Sequence, residues 1–258
     1  MASTNSCSSR RRCPSPARSA HRLIRSRSSN RREVHMRIAL VLAATLPFVF
    51  GVPPAAAQTA ATTMPADIDP QSGFRLPLPK REELDELGKK VYDEASTPGK
   101  SLVGLQGPSG IRLYSPKTSQ WLTSLNRHLR FEAGIAPRIR EIAILITARE
   151  MDSQFEWAAH EPEALKAGVP PQTIDAIKYR RGIDGLDERD AAVIALGRQI
   201  WRDHRVDSAT FANAKALFGP HQLVDIVLLM GNYSGTAALL TAFDMQLPAG
   251  KKPLLPTP

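Results

Sequence analysis

The chain holds only two cysteines, Cys7 and Cys13, and both lie in a segment that reads as a removable leader. The remainder can form neither a disulfide nor a thiolate site. Thiol redox chemistry is therefore excluded for it, and its stability must come from core burial. Also missing are any convincing strand alternation and any repeat with a period of 20–50 residues, which sets aside sheet and solenoid architectures. The third scarcity is a basic surplus in the body of the chain. The formal charge is +9, yet ten of the 34 Lys and Arg and one of the 25 acids precede residue 58, so residues 58–258 carry 24 of each. Without net positive charge there is little counterion release to drive binding to phosphate backbones, which argues against nucleic acid and anionic membranes as partners.

What is present begins with the leader. Residues 1–57 contain ten Arg, no Lys and one acid, Glu33, and they close on an apolar run over 38–52 followed by Ala55-Ala56-Ala57-Gln58. This is the pattern of a secretory signal peptide cut after Ala57, so the mature protein is expected in the periplasm or outside the cell. Two readings of the Ser/Arg-rich residues 1–35 stay open: a long basic leader, or an extension upstream of a true start at Met36. A twin-arginine route through Arg31-Arg32 is weakly supported, because no Phe-Leu pair follows.

Residues 58–79, rich in Pro, Ala, Thr and Gln, read as a flexible linker, and 248–258, with four prolines, as a disordered tail. Between them, 80–247 reads as one all-α domain of seven or eight helices. The spacing of Leu84, Leu87, Val91 and Tyr92 predicts an outer helix over 80–96. After a Gly/Pro-rich loop containing Gly107-Pro108-Ser109-Gly110, a second is expected over 117–131 around Trp121, Leu122, Leu125 and Leu129. Pro137 opens a third, whose Ile139, Ile142, Ala143 and Ile146, widened by Ile144 and Leu145, mark it as central. A fourth over 155–167 is expected to bend or break at Pro162 and to stop at Gly168. Shorter and longer helices follow from Pro170/Pro171, over 186–204 and over 207–218. The last, 220–246, is apolar almost all round and long enough for a membrane span. Asp225, Asn232, Ser234 and two glycines inside it favour a helix buried in protein, partly at a subunit interface.

The densest chemistry lies in Arg138-Ile-Arg140-Glu141 through Arg149, then Ser153-Gln-Phe-Glu156-Trp157-Ala-Ala-His160. Glu156 and His160 are four apart and so share a helix face. A carboxylate there orients the imidazole and suits His160 to give or take a proton, and Glu141 on the preceding helix would add a second carboxylate to a short relay. Each feature has a plainer reading. Ser153-x-x-Glu156 is also a capping box, Glu156 and His160 a solvated i,i+4 pair, and Glu141 a partner for Arg138. The arginines are ordinary surface charges on that view, and Trp157 and Tyr233 core residues. A metal site would need ligands beyond Glu156 and His160 that the sequence does not assemble.

The third helix, Glu156-Trp157-x-x-His160, Ala167-Gly168-Val169, Asp203-His204-Arg205-Val206 and the last helix with Asn232-Tyr233 together resemble the carboxymuconolactone decarboxylase and AhpD-like family. The resemblance covers about residues 80–247 and rests on order and spacing rather than on any single motif. It implies an AhpD-like helical domain and a homo-oligomer, trimer or hexamer. In the peroxidase branch a glutamate precedes a Cys-x-x-Cys pair and a histidine; those positions here are Glu141, Ser153, Glu156 and His160. A serine cannot be oxidised and resolved as a thiolate can, so the resemblance points to the decarboxylase-type branch. That implies a carboxy-lyase or related proton-transfer enzyme acting on a small anionic lactone or enol acid. The catalytic residues would be His160, Glu156 and Glu141, with Arg138, Arg140 and Arg149 on the anionic groups and Ser153, Trp157 and Tyr233 lining the pocket. Such a lactone is its own electron sink, so no cofactor and no metal are expected. A non-catalytic exported binding or scaffold protein is the alternative.

Overall fold

The computed structural model describes residues 64–256. The leader and signal peptide expected over 1–57, and the first residues of the linker, lie outside them. The described residues are all-α, with no strand among them. A 3-10 turn, Arg81–Glu83, precedes eight helices: α1 Glu86–Ser96, α2 Pro108–Arg112, α3 Pro116–Arg127, α4 Pro137–Glu150, α5 Gln154–Lys166, α6 Pro171–Lys178, α7 Glu188–Trp201 and α8 Ser208–Ala242. A π turn, His128–Glu132, extends α3.

The centre is α4. Pro137 opens it, and every residue from 141 to 149 is buried, because α5, α6, α7 and α8 pack around it. Ile142, Ile144, Leu145 and Ile146 are wholly buried, each contributing about 1.5–3 kcal/mol. A helix so enclosed also carries Glu141 and Arg149 inside the protein, and each needs a partner there.

Several expectations are corrected. The helix foreseen over 80–96 is split: Leu84 is extended, and Asp85 restarts the chain as an N-cap, accepting from the Gly88 amide at 2.6 Å. The Gly/Pro-rich loop contains a helix, α2, with Pro108 in its first turn. The linker is not flexible over the residues described. Phe74 is fully buried in a second core with Ile111, Phe155 and Leu240, and the Arg75 amide donates to the Phe243 carbonyl at 3.0 Å. The tail folds back as well: Leu255 is buried, its amide donates to Gln154 Oε1 and its carbonyl accepts from Gln154 Nε2, both at 2.9 Å. α5 runs through Pro162 unbroken. Pro162 is exposed and Ala158 is half-buried, so water can reach the carbonyl left without a partner.

The α3 expectation is inverted. Of its foreseen apolar face only Leu129, in the π turn, is buried, whereas Trp121 and Leu125 are exposed and Ser119 is buried. The polar side of α3 faces a cavity described below, which turns the apolar side outward. Exposed apolar residues also follow one face of α8, at Val224, Val227 and Leu228. By length and composition α8 is apolar enough to cross a membrane, but half of its most apolar window is buried within the protein.

α8 merges the two helices expected over 207–218 and 220–246, and the division survives as a kink at Gly219, φ 70° and ψ 166°. Only glycine occupies that region without strain. Gly219→Ala is expected to cost about 1–3 kcal/mol, measured by urea unfolding; an unchanged midpoint would show that the kink tolerates a side chain.

Candidate active site

Glu141 sits one turn into α4 and His160 midway along α5, and the close packing of these helices sets them face to face. His160 Nδ1 meets Glu141 Oε2 at 2.8 Å, with both side chains almost fully buried. The other carboxylate oxygen accepts from Arg140 Nε at 2.9 Å and lies 3.8 Å from Arg130 Nη2. Burial alone would push the Glu141 carboxyl up. The hydrogen bond and charge of His160, the hydrogen bond of Arg140 and the charge of Arg130 outweigh it and hold the group below the ordinary carboxylate value.

An ionised carboxylate only accepts, so Nδ1 carries a proton and Nε2 is the nitrogen turned away from Glu141. Nε2 faces Glu156 Oε2 at 3.7 Å, too far for a direct hydrogen bond. Burial pushes the Glu156 carboxyl up, against the opposing charges of His160, Arg112 and Arg130. The imidazole therefore stands between an acid held ionised and an acid pushed toward its neutral form. Tyr233 of α8 packs edge-on to the imidazole, centroids 5.1 Å apart, and its burial raises the phenol so that it remains a donor.

Glu156, His160 and Tyr233 border a cavity of about 540 Å³, and Glu141 reaches it only through the imidazole. Arg112 and Arg130, which sequence reasoning missed, line it together with Arg140. Arg112 comes from α2, which is pressed so tightly onto the preceding loop that a Cβ on Gly110 would sit 2.1 Å from the Leu105 carbonyl oxygen. Its Nη2 donates to Thr236 Oγ1 at 2.7 Å. Arg130 is carried by the π turn, a device frequent at functional sites. Arg112 Nε, Arg130 Nε and Asn232 Oδ1 are buried without a hydrogen-bond partner, and all three residues line this cavity. Orphaned donors of cationic groups suit an anionic guest that accepts from them. The one sequence signal that pointed to Arg112 was Pro108, a helix-opening residue inside what read as a loop.

The other expected site residues are elsewhere. Arg138 pairs with Asp190 of α7 through Nε at 3.0 Å and Nη2 at 2.5 Å, fastening α4 to α7. Arg149, at the far end of α4, donates to the Lys178 carbonyl at 2.8 Å and pairs with Asp152. Trp157 is fully buried in the main core, its indole donating to Glu161 Oε2 at 3.0 Å. Ser153 precedes α5 as its N-cap but makes no side-chain capping bond, so the capping box does not form and Glu156 is free to face the cavity. Thus Glu141, Glu156, His160, Arg140 and Tyr233 converge, whereas Arg138, Arg149, Trp157 and Ser153 do not. Among the described residues no cluster of three or more His, Cys, Asp or Glu side chains is placed to hold a metal ion.

Residues 116–199, from α3 through most of α7, match the carboxymuconolactone decarboxylase family. The segment contains Glu141, Glu156 and His160. No curated protein matches the chain.

The two carboxylates respond to pH with opposite sign. Glu141, lowered on folding, stabilises the protein above the ordinary carboxylate value, and this is lost as pH falls through its depressed value. Glu156, raised on folding, opposes stability as pH climbs through its elevated value. Glu141→Gln is expected to cost about 1.5–3 kcal/mol at neutral pH, the difference shrinking in acid. Glu156→Gln is expected to gain stability at neutral pH and nothing in acid. Urea unfolding from about pH 3 to pH 8 reads both, and parallel pH trends in the two variants would refute the assignment.

Proposed function

We propose that the domain is a cofactor-independent proton-transfer enzyme, acting as a carboxy-lyase on a carboxylated unsaturated lactone or related enol acid, with His160 as general acid and base. The observation that carries this reading is the buried series Glu141, His160, Glu156 opening on a cavity with unsatisfied arginine donors. The family match supports it.

In this chemistry Arg112, Arg130 and Arg140 hold the substrate's anionic oxygens. The bond from ring carbon to the departing carboxylate breaks, its electron pair runs into the conjugated ring as an enolate, and carbon dioxide leaves. The developing oxyanion is met by guanidinium and by the Tyr233 hydroxyl. His160 and Glu156 hold one transferable proton between them. Nε2 delivers it to carbon while Glu141 stabilises the imidazolium, and the pair is reprotonated from solvent. The lactone supplies its own electron sink. His160→Gln keeps the shape and hydrogen-bonding capacity of the side chain but cannot relay a proton. It is expected to lower kcat for carbon dioxide release about 100- to 10,000-fold with the unfolding midpoint retained. Absence of turnover by the unaltered protein across carboxylated lactones would leave a binding protein in place of an enzyme.

We further propose that the protein acts after export as a homo-oligomer, a trimer or hexamer. The signal-like leader supports the first and the exposed Val224, Val227 and Leu228 on α8 the second. Native mass spectrometry of protein recovered outside the cytoplasm is expected to show subunits beginning at Gln58 in assemblies of three or six. A full-length subunit would overturn the first expectation and a monomer the second.

A further inference from the structure

The cavity is larger than a small lactone needs. A dicarboxylated five-membered lactone has about a dozen heavy atoms, and even at the roughly 30 Å³ that a water occupies in the liquid each, these fill about two thirds of the 540 Å³. Its lining combines the group Arg112, Arg130, Arg140, His160 and Glu156 with residues from the end of α1 and the loop after it, where Val91, Ala95, Leu102 and Val103 are interleaved with Glu94, Lys100 and Ser101. Across the cavity α3 presents Gln120 and Thr123, which keep that side wet. Leu102 and Val103, with Ala159 and Glu163, also line a second cleft of about 170 Å³, whose other walls are Phe155, Ala158, Pro162, Pro248 and Lys251. Residues shared by two hollows, one carrying the cationic group and the other walled mainly by apolar side chains with Glu163 and Lys251 among them, fit a guest having a charged head and an apolar extension.

We propose that the ligand of this site is an amphiphilic acid: a carboxylate head at the arginines, joined to an apolar chain or ring that runs along Val91 and Ala95 and over Leu102 and Val103 into the adjoining cleft. The extension has room for several carbons, since 170 Å³ equals about five or six water-sized groups at ~30 Å³ each. This rests on the proposed function only for the head group, because the apolar wall takes no part in proton transfer.

The test is calorimetric titration with 2-alkylsuccinates, from methyl to octyl, whose dianionic head is constant. Complete burial of a methylene tightens binding about fourfold, the equivalent of ~0.8 kcal/mol. Apolar residues share the lining with charged and polar ones, so burial is partial and about two- to fourfold per methylene is expected, reaching a plateau once the cleft is filled. Leu102→Ser should flatten that dependence while leaving the methyl member's affinity unchanged, and Arg112→Gln should weaken every member alike. His160→Gln should keep the dependence on chain length. If affinity is independent of chain length, or falls with it, the inference is overturned even where short lactones are turned over. If the dependence holds while no carboxylated lactone reacts, the inference stands and the decarboxylase reading falls.

Discussion

The bond between Glu141 and His160 is the constraint around which the rest of the site is arranged. It joins α4 to α5 across 2.8 Å in the protein interior, where an unpaired charge would be costly. Because Arg140 and Arg130 supply the other carboxylate oxygen with positive charge, the acid stays ionised despite its burial. An ionised acid on Nδ1 fixes the orientation of the ring, and that orientation aims Nε2 at Glu156. The direction of the imidazole thus follows from the charge balance one residue deeper in the protein.

Around that bond the fold divides its arginines by task. Arg138 and Arg149 are consumed by the architecture, one on Asp190 and the other on Asp152 and the Lys178 carbonyl. Arg112 and Arg130, which line the cavity, each keep a buried Nε without a partner. Arg180 and Arg198 share that feature away from the cavity, so it is the open Nε together with the place on the cavity wall that suits Arg112 and Arg130 to an anionic guest. The segments flanking the domain contribute indirectly. Phe74 and Leu240 back α2 through Ile111, and α2 delivers Arg112.

Much of the fold could be read along the chain because helices announce themselves locally. Pro137, the run of Ile139, Ile142, Ala143 and Ile146, and the Gly219-Pro220 break each act within a few residues. The acid and imidazole pair was legible for the same reason, through the fourfold spacing of Glu156 and His160 and the preceding Glu141. Where the reading failed, a distant surface had the deciding vote. Trp121 and Leu125 carry an apolar pattern that would ordinarily turn inward, but the opposite face of α3 borders the cavity. Phe74 and Leu255 stand in segments whose composition resembles disorder, yet each finds a hydrophobic site made by residues far away in sequence.

The amino-acid order alone determined an all-α domain, the absence of thiol chemistry from it, the balance of its charges, and which acids and imidazole were in reach of each other. Those are properties of composition and of helical period, which act over a few residues. Only the tertiary structure decided which arginines are free, that Arg112 and Arg130 reach the site from α2 and a π turn, and that the cavity joins these charged groups to apolar residues at the end of α1 and in the loop after it. A guanidinium is committed or available according to what packs against it, and a hollow exists only between elements. Neither property belongs to any short stretch of chain.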